Sequence, residues 1–78
     1  MTQAAPDDVL LQATEQMTIG NYADAEQLAN TVVNSTQEYD EHHTSALLII
    51  ADSARMQGNI EIAFAIAENT LKLAEHHD

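Results

Sequence analysis

Apolar residues recur along this chain at spacings of three and four, the period of a helix buried on one side, and no stretch alternates in the manner of a strand. The pattern predicts four helices, over residues 7–19, 22–35, 41–57 and 60–76. At about 100° per residue, the second gathers Tyr22, Ala25, Leu28, Ala29, Val32 and Val33 into one arc. Asp24, Glu26, Gln27, Asn30 and Thr31 fall outside it. The third helix differs, because the consecutive Leu47, Leu48, Ile49 and Ile50 cover nearly its whole circumference and predict neighbours on most sides. The fourth carries two stripes. Ile60, Ala63, Phe64, Ala67, Leu71 and Ala74 are expected to close a hairpin against the third helix, leaving Ile62, Ile66 and Leu73 for a further surface.

Gly20-Asn21 and Gly58-Asn59 interrupt these patterns, and a glycine followed by an N-capping asparagine ends one helix and starts the next in a tight connection. The two signals stand 38 positions apart. The same shift superposes Leu10 on Leu48, Ala13 on Ala51, Ala25 on Ala63 and Ala29 on Ala67, which marks an internal repeat. Pro6 suits a first helical turn, where its missing N–H is no loss, and Asp7 and Asp8 complement the helix dipole there. Residues 1–5 read as a flexible leader and 34–40 as the one real linker, with Asp40 or Thr36 available to cap the third helix. The expected fold class is all-α: two antiparallel helix-turn-helix hairpins, repeat 1 at 6–36 and repeat 2 at 41–77, stacked in a single domain over 6–78.

The segment Ile19-Gly20-Asn21-Tyr22-Ala23-Asp24-Ala25 resembles the turn of a tetratricopeptide repeat, in which a glycine and a polar residue precede an aromatic and then a small residue. Gln57-Gly58-Asn59-Ile60-Glu61-Ile62-Ala63 is similar, with Ile60 in the aromatic place, and Ala13 and Ala51 fall where that family uses a small residue to bring paired helices close. The period of 38 exceeds the family's usual value of about 34, the excess lying in the linker. The resemblance implies a short helical solenoid that binds another polypeptide. With its small size and acidity, the chain also looks like the cytoplasmic chaperones of bacterial type III secretion, some of which are tetratricopeptide-like and shield an aggregation-prone secreted subunit.

Composition narrows the function further. In a chain of 78 residues, the entropy lost on folding roughly balances the apolar burial available, so help from an oligomer or partner is expected. Cysteine is absent, which removes disulfides, thiolate metal sites and thiol nucleophiles together. No apolar run exceeds six residues, as in Ala46 to Ala51, well short of the roughly 20 of a membrane span. The start MTQAAPDDVLL lacks the basic and apolar regions of a secretory signal, so a cytoplasmic location is expected. Thirteen acidic residues against two basic ones give a net charge of -11. That charge opposes nucleic acid and anionic membrane surfaces and favours basic proteins as partners.

Candidate chemistry is sparse. Glu41-His42-His43 and Glu75-His76-His77-Asp78 hold metal-ligand residue types, but adjacent histidines on a helix diverge by about 100° and cannot chelate as an i,i+4 pair does. No phosphate loop, nucleophile elbow or metal-binding helix motif occurs, so the reading is of a protein that is not an enzyme and takes no cofactor and no metal. Glu68 and Lys72 are spaced as an ordinary surface pair. The expected work is capture of an amphipathic segment of a partner protein through Ile62, Ile66, Leu73, Met17 and Leu11, with the acids selecting cationic flanks. Two alternatives carry different signatures. A structural homo-oligomer would bury the fourth helix against its own copy, and an acidic nucleic-acid mimic inhibiting a basic protein would release its target steeply with salt.

Overall fold

The computed structural model describes residues 5–38 and 40–75, the last three by backbone alone. Among these residues four helices are arranged in order: α1 (Pro6–Thr18), α2 (Tyr22–Ser35), α3 (Glu41–Met56) and α4 (Ile60–Glu75). Among the described residues there is no strand. The architecture is the all-α arrangement of hairpins read from the sequence, four packed helices compatible with a helical-hairpin repeat. The expected leader lies, Ala5 aside, outside the described residues.

Both tight turns are built the same way. Gly20 and Gly58 adopt φ of 89° and 88°, a left-handed conformation that costs a side-chain-bearing residue about 1–2 kcal/mol. Around the first, the Gly20 N–H donates to the Met17 carbonyl and the Asn21 N–H to the Gln16 carbonyl. The second repeats this with Gly58 to Arg55 and Asn59 to Ala54. Each is a Schellman closure that satisfies carbonyls left over at a helix end. The asparagine after the first glycine works differently from the sequence expectation. The Asn21 side chain does not cap α2 but reaches back to Gln16 Oε1 at 2.9 Å, while its backbone carbonyl starts the helix by accepting from Ala25 N–H.

The linker is tied at both ends. Asp40 caps α3, its Oδ1 accepting from the His42 N–H at 2.8 Å. Thr36 closes α2 instead, its hydroxyl donating to the Val32 carbonyl at 2.6 Å. That uses the only hydroxyl proton, so in the 3.1 Å contact with the buried His43 it is Nδ1–H that donates to Thr36 Oγ1.

Packing is organised on α3. It lies against α1, α2 and α4, as its four-residue apolar run implies, whereas α1 and α2 also meet each other and α4, among the described residues, touches α3 alone. Among the described residues, seven of the ten buried apolar ones are alanines: Ala13, Ala25, Ala29, Ala46, Ala51, Ala54 and Ala63. Such small contacts let helix backbones approach closely. Val9, Val32 and Ile50 supply the larger core groups, with Leu10, Leu28, Val33, Ile49 and Ile66 packed against them. Ser53 is wholly buried between α2 and α3, where its hydroxyl donates to the Tyr22 carbonyl and accepts from Gln57 Nε2, which also reaches Glu26. The result is a slab of 33 × 32 × 16 Å, a single interior layer deep.

Candidate interaction face

The described residues of α4 meet α3 through Ala63, Ile66 and Thr70, spaced three and four apart on one side of the helix. This line runs between the two apolar stripes expected from the sequence and takes one edge of each. Thr70 is accommodated in it because its hydroxyl is satisfied locally, donating to the Ile66 carbonyl at 2.8 Å, so a polar residue is buried without an orphan group. Four of the six residues expected to close the hairpin therefore face outward, Ile60 being 59% exposed, Phe64 69% and Leu71 61%, with Ala67 exposed between them, while Ala63 takes its expected place and the Ala74 side chain lies outside the described residues. Ile66, expected on the free surface, is the correction on the other side, since it is half-buried against the core.

The internal repeat explains why this face is bare. Under the 38-residue shift, Ile60, Phe64, Ala67 and Leu71 correspond to Tyr22, Glu26, Ala29 and Val33 of α2. In the first repeat Ala29 is fully buried and the other three half-buried, and α3 is the helix lying there, joined to this side of α2 by the Ser53–Tyr22 and Gln57–Glu26 hydrogen bonds. By contrast Ala25/Ala63, Leu28/Ile66 and Val32/Thr70 match in burial in both repeats, because they face each helix's own hairpin partner. The exposed stripe of α4 is thus the site that the following helix fills in repeat 1.

The opposite end of the slab is built differently. Ala46, Ile50 and Ser53, buried on α3, correspond to Asp8, Gln12 and Glu15 on α1, and all three of those are exposed. One end is closed with polar groups and the other is left apolar. Beside the α4 stripe run Glu61 and Glu68, both exposed and two turns apart on the same flank. The ion pairs among the described residues involve Asp7, Asp40, His42, Asp52 and Arg55, so neither glutamate is neutralised and the expected Glu68–Lys72 pair does not form.

The remaining candidates are dispersed. Ile62 is exposed on the far flank of α4, Leu11 is exposed on α1 and Met17 is half-buried there. Since α1 does not touch the described residues of α4, the structure does not bring Leu11 and Met17 together with Ile62. The Leu73 side chain and His76 and His77 lie outside the described residues. An open groove of about 400 Å³ is lined by Gln16, Asp24, Gln27, Leu28 and Thr31, and another of about 390 Å³ at Gly58 to Ile62 borders the start of the α4 stripe.

His42 does not join His43 in a cluster. Its Nε2 meets Asp7 at 2.5 Å and its Nδ1 meets Asp40 at 2.9 Å. The Asp7 hydrogen bond raises the His42 pKa above its ordinary value, against an opposing effect of burial and with help from Asp40. Asp40 is held below the usual carboxylate range, chiefly by the His42 backbone N–H. Among the described residues no three histidine, aspartate or glutamate side chains are arranged to hold a metal ion, and no helix is long and apolar enough to cross a membrane. Comparison with protein-family models, curated proteins and solved structures returns no match.

Proposed function

We propose that this chain is a non-enzymatic interaction module of tetratricopeptide-like hairpins that holds an amphipathic segment of another protein. The observation that carries the reading is the inverted placement of its apolar side chains: alanine dominates the interior while Ile60, Phe64 and Leu71 stand in water. Burying one such large side chain is worth about 1.5–3 kcal/mol, so covering three of them rivals the 5–15 kcal/mol total stability typical of a domain. A partner helix laid along α4 collects that free energy, the helix-in-groove mode of recognition. The acidic surroundings add orientation and faster encounter more than affinity.

In its sharper form the module is a small secretion chaperone, keeping the apolar face of a secreted subunit covered until release. Size, acidity and the paired hairpins support that form, as an analogy of fold and composition.

Co-purification from the native host tests the module reading, comparing the wild-type chain with a Phe64→Glu, Leu71→Glu double variant whose helicity has been checked by circular dichroism. A defined chain retained by the wild type and lost from the variant is the expected result. Identical retained sets for both would overturn it.

A further inference from the structure

We infer that the α4 face receives a single helix of a different protein, seated as α3 is seated on α2 and carrying basic residues along one flank that meet Glu61 and Glu68. This deepens the module reading and rests on it. The repeat fixes the shape of the occupant. Ile60, Phe64, Ala67 and Leu71 are spaced four, three and four, a narrow stripe along three turns, and the equivalent positions on α2 are covered by one helix. Ala67 makes a notch between Phe64 and Leu71, so the occupant fits by placing a large side chain there and smaller ones opposite its neighbours.

Charge decides whose helix it is. Two copies pairing through α4 in the antiparallel sense of a two-fold dimer bring the row of Glu61, Glu68 and Lys72 of each, two acids to one base, against the same row of the other. A copy stacking head to tail offers Asp8, Gln12 and Glu15 of α1, a polar and acidic face, to an apolar stripe with an acidic flank. Each route also joins chains of net charge -11. A helix with lysine or arginine spaced seven residues apart beside its apolar stripe meets none of these objections and offers partners to the two glutamates, which form no ion pair among the described residues.

The test uses the full chain and two synthetic amphipathic helices of about three heptads, identical in their leucine–alanine apolar stripe and differing only in lysine or glutamate at the flank positions. Binding is read by fluorescence anisotropy. The lysine peptide should bind roughly tenfold more tightly than the glutamate peptide at about 0.15 M salt, with the gap narrowing as salt rises. Phe64→Glu should lose the lysine peptide although it adds negative charge, which separates seating on the stripe from general attraction to an acidic protein. Glu61→Gln with Glu68→Gln should erase the preference, and Glu61→Lys with Glu68→Lys should reverse it.

Equal binding of both peptides, abolished by Phe64→Glu, would overturn the basic partner while leaving the module reading intact; so would a lysine preference that ignores the Glu61 and Glu68 variants. Binding of neither peptide by a chain that sediments as a dimer, and that Phe64→Glu makes monomeric, would assign the face to a second copy. Binding of neither by a folded monomer would remove the module reading as well.

Discussion

The His42 imidazole contacts the Asp7 carboxylate at 2.5 Å across 35 positions of chain, joining the first turn of α1 to the first turn of α3. Asp40, the cap of α3, takes the other ring nitrogen, so the imidazolium donates to two carboxylates at once. The repeat has no counterpart of this link, because residue 4, the position equivalent to His42 in repeat 1, is an alanine.

The first prediction concerns pH. His42 has a folded pKa above its ordinary 6.5, so its stabilising contribution is fully present below that value and fades as pH rises through the raised folded value. Asp40 shifts the opposite way and contributes above 3.8, losing its effect only as pH falls through its lowered folded value. The melting temperature of the wild type should therefore exceed that of His42→Gln most clearly between those two limits. The difference should shrink at alkaline pH and at high salt, since Asp7 is well exposed. A difference independent of pH from about 5 to about 9 would remove the ion pair from the account.

Ser53 offers a second measurement. Ser53→Ala deletes the hydroxyl that donates to the Tyr22 carbonyl, at a site without solvent access, and should cost about 1–2 kcal/mol in urea unfolding. Ser53→Leu should cost more, because the closely packed α2–α3 seam has no room for the added volume. An unchanged urea midpoint for the alanine variant would show that the hydrogen bond is replaced at no cost.

At Gly58 a Cβ would meet nothing within 4 Å, so any penalty is one of backbone conformation alone. Gly58→Ala should destabilise by about 1 kcal/mol and Gly58→Val by more, whereas D-alanine at the same position in a synthetic chain should stabilise by about 0.4–1 kcal/mol. Calorimetry on the three chains checks the order. Loss of stability with both alanine enantiomers would contradict the open left-handed turn.

The burial pattern predicts an inversion of the usual effect of size. Phe64→Ser removes the most exposed large apolar side chain among the described residues and should leave unfolding free energy within about 0.5 kcal/mol, while the smaller change Val32→Ala should cost about 1–3 kcal/mol. The opposite ranking in denaturant titrations would place Phe64 in the core.

Periodicity and two glycines located all four helices to within a residue or so, because those signals are local: a left-handed glycine and an apolar period each act within a few residues. The central place of α3 was legible too, in Leu47 to Ile50. The orientation of α4 was not. Hydrophobicity alone favours Phe64 and Leu71 over Thr70 as inward residues, yet the helix turns its Thr70 side to α3, where alanines allow close approach and the hydroxyl bonds within its own helix. A signal for this was present in the repeat itself, since Thr70 and Ala63 align with Val32 and Ala25, both buried. Ser53 and His43, buried through bonds to Tyr22 and Thr36, carried no such mark in the sequence.

The alanine-lined seams also bear on how this chain responds to temperature. Heat capacity rises on unfolding in proportion to the apolar surface that becomes hydrated, and a methyl group pressed against a neighbouring backbone hides little of it. The isolated chain should accordingly have a shallow, broad stability curve, with weak dependence on cooling. A further negative heat-capacity change should appear at association, when Ile60, Phe64 and Leu71 leave water, so calorimetry would record as binding a part of what in other small domains is recorded as folding.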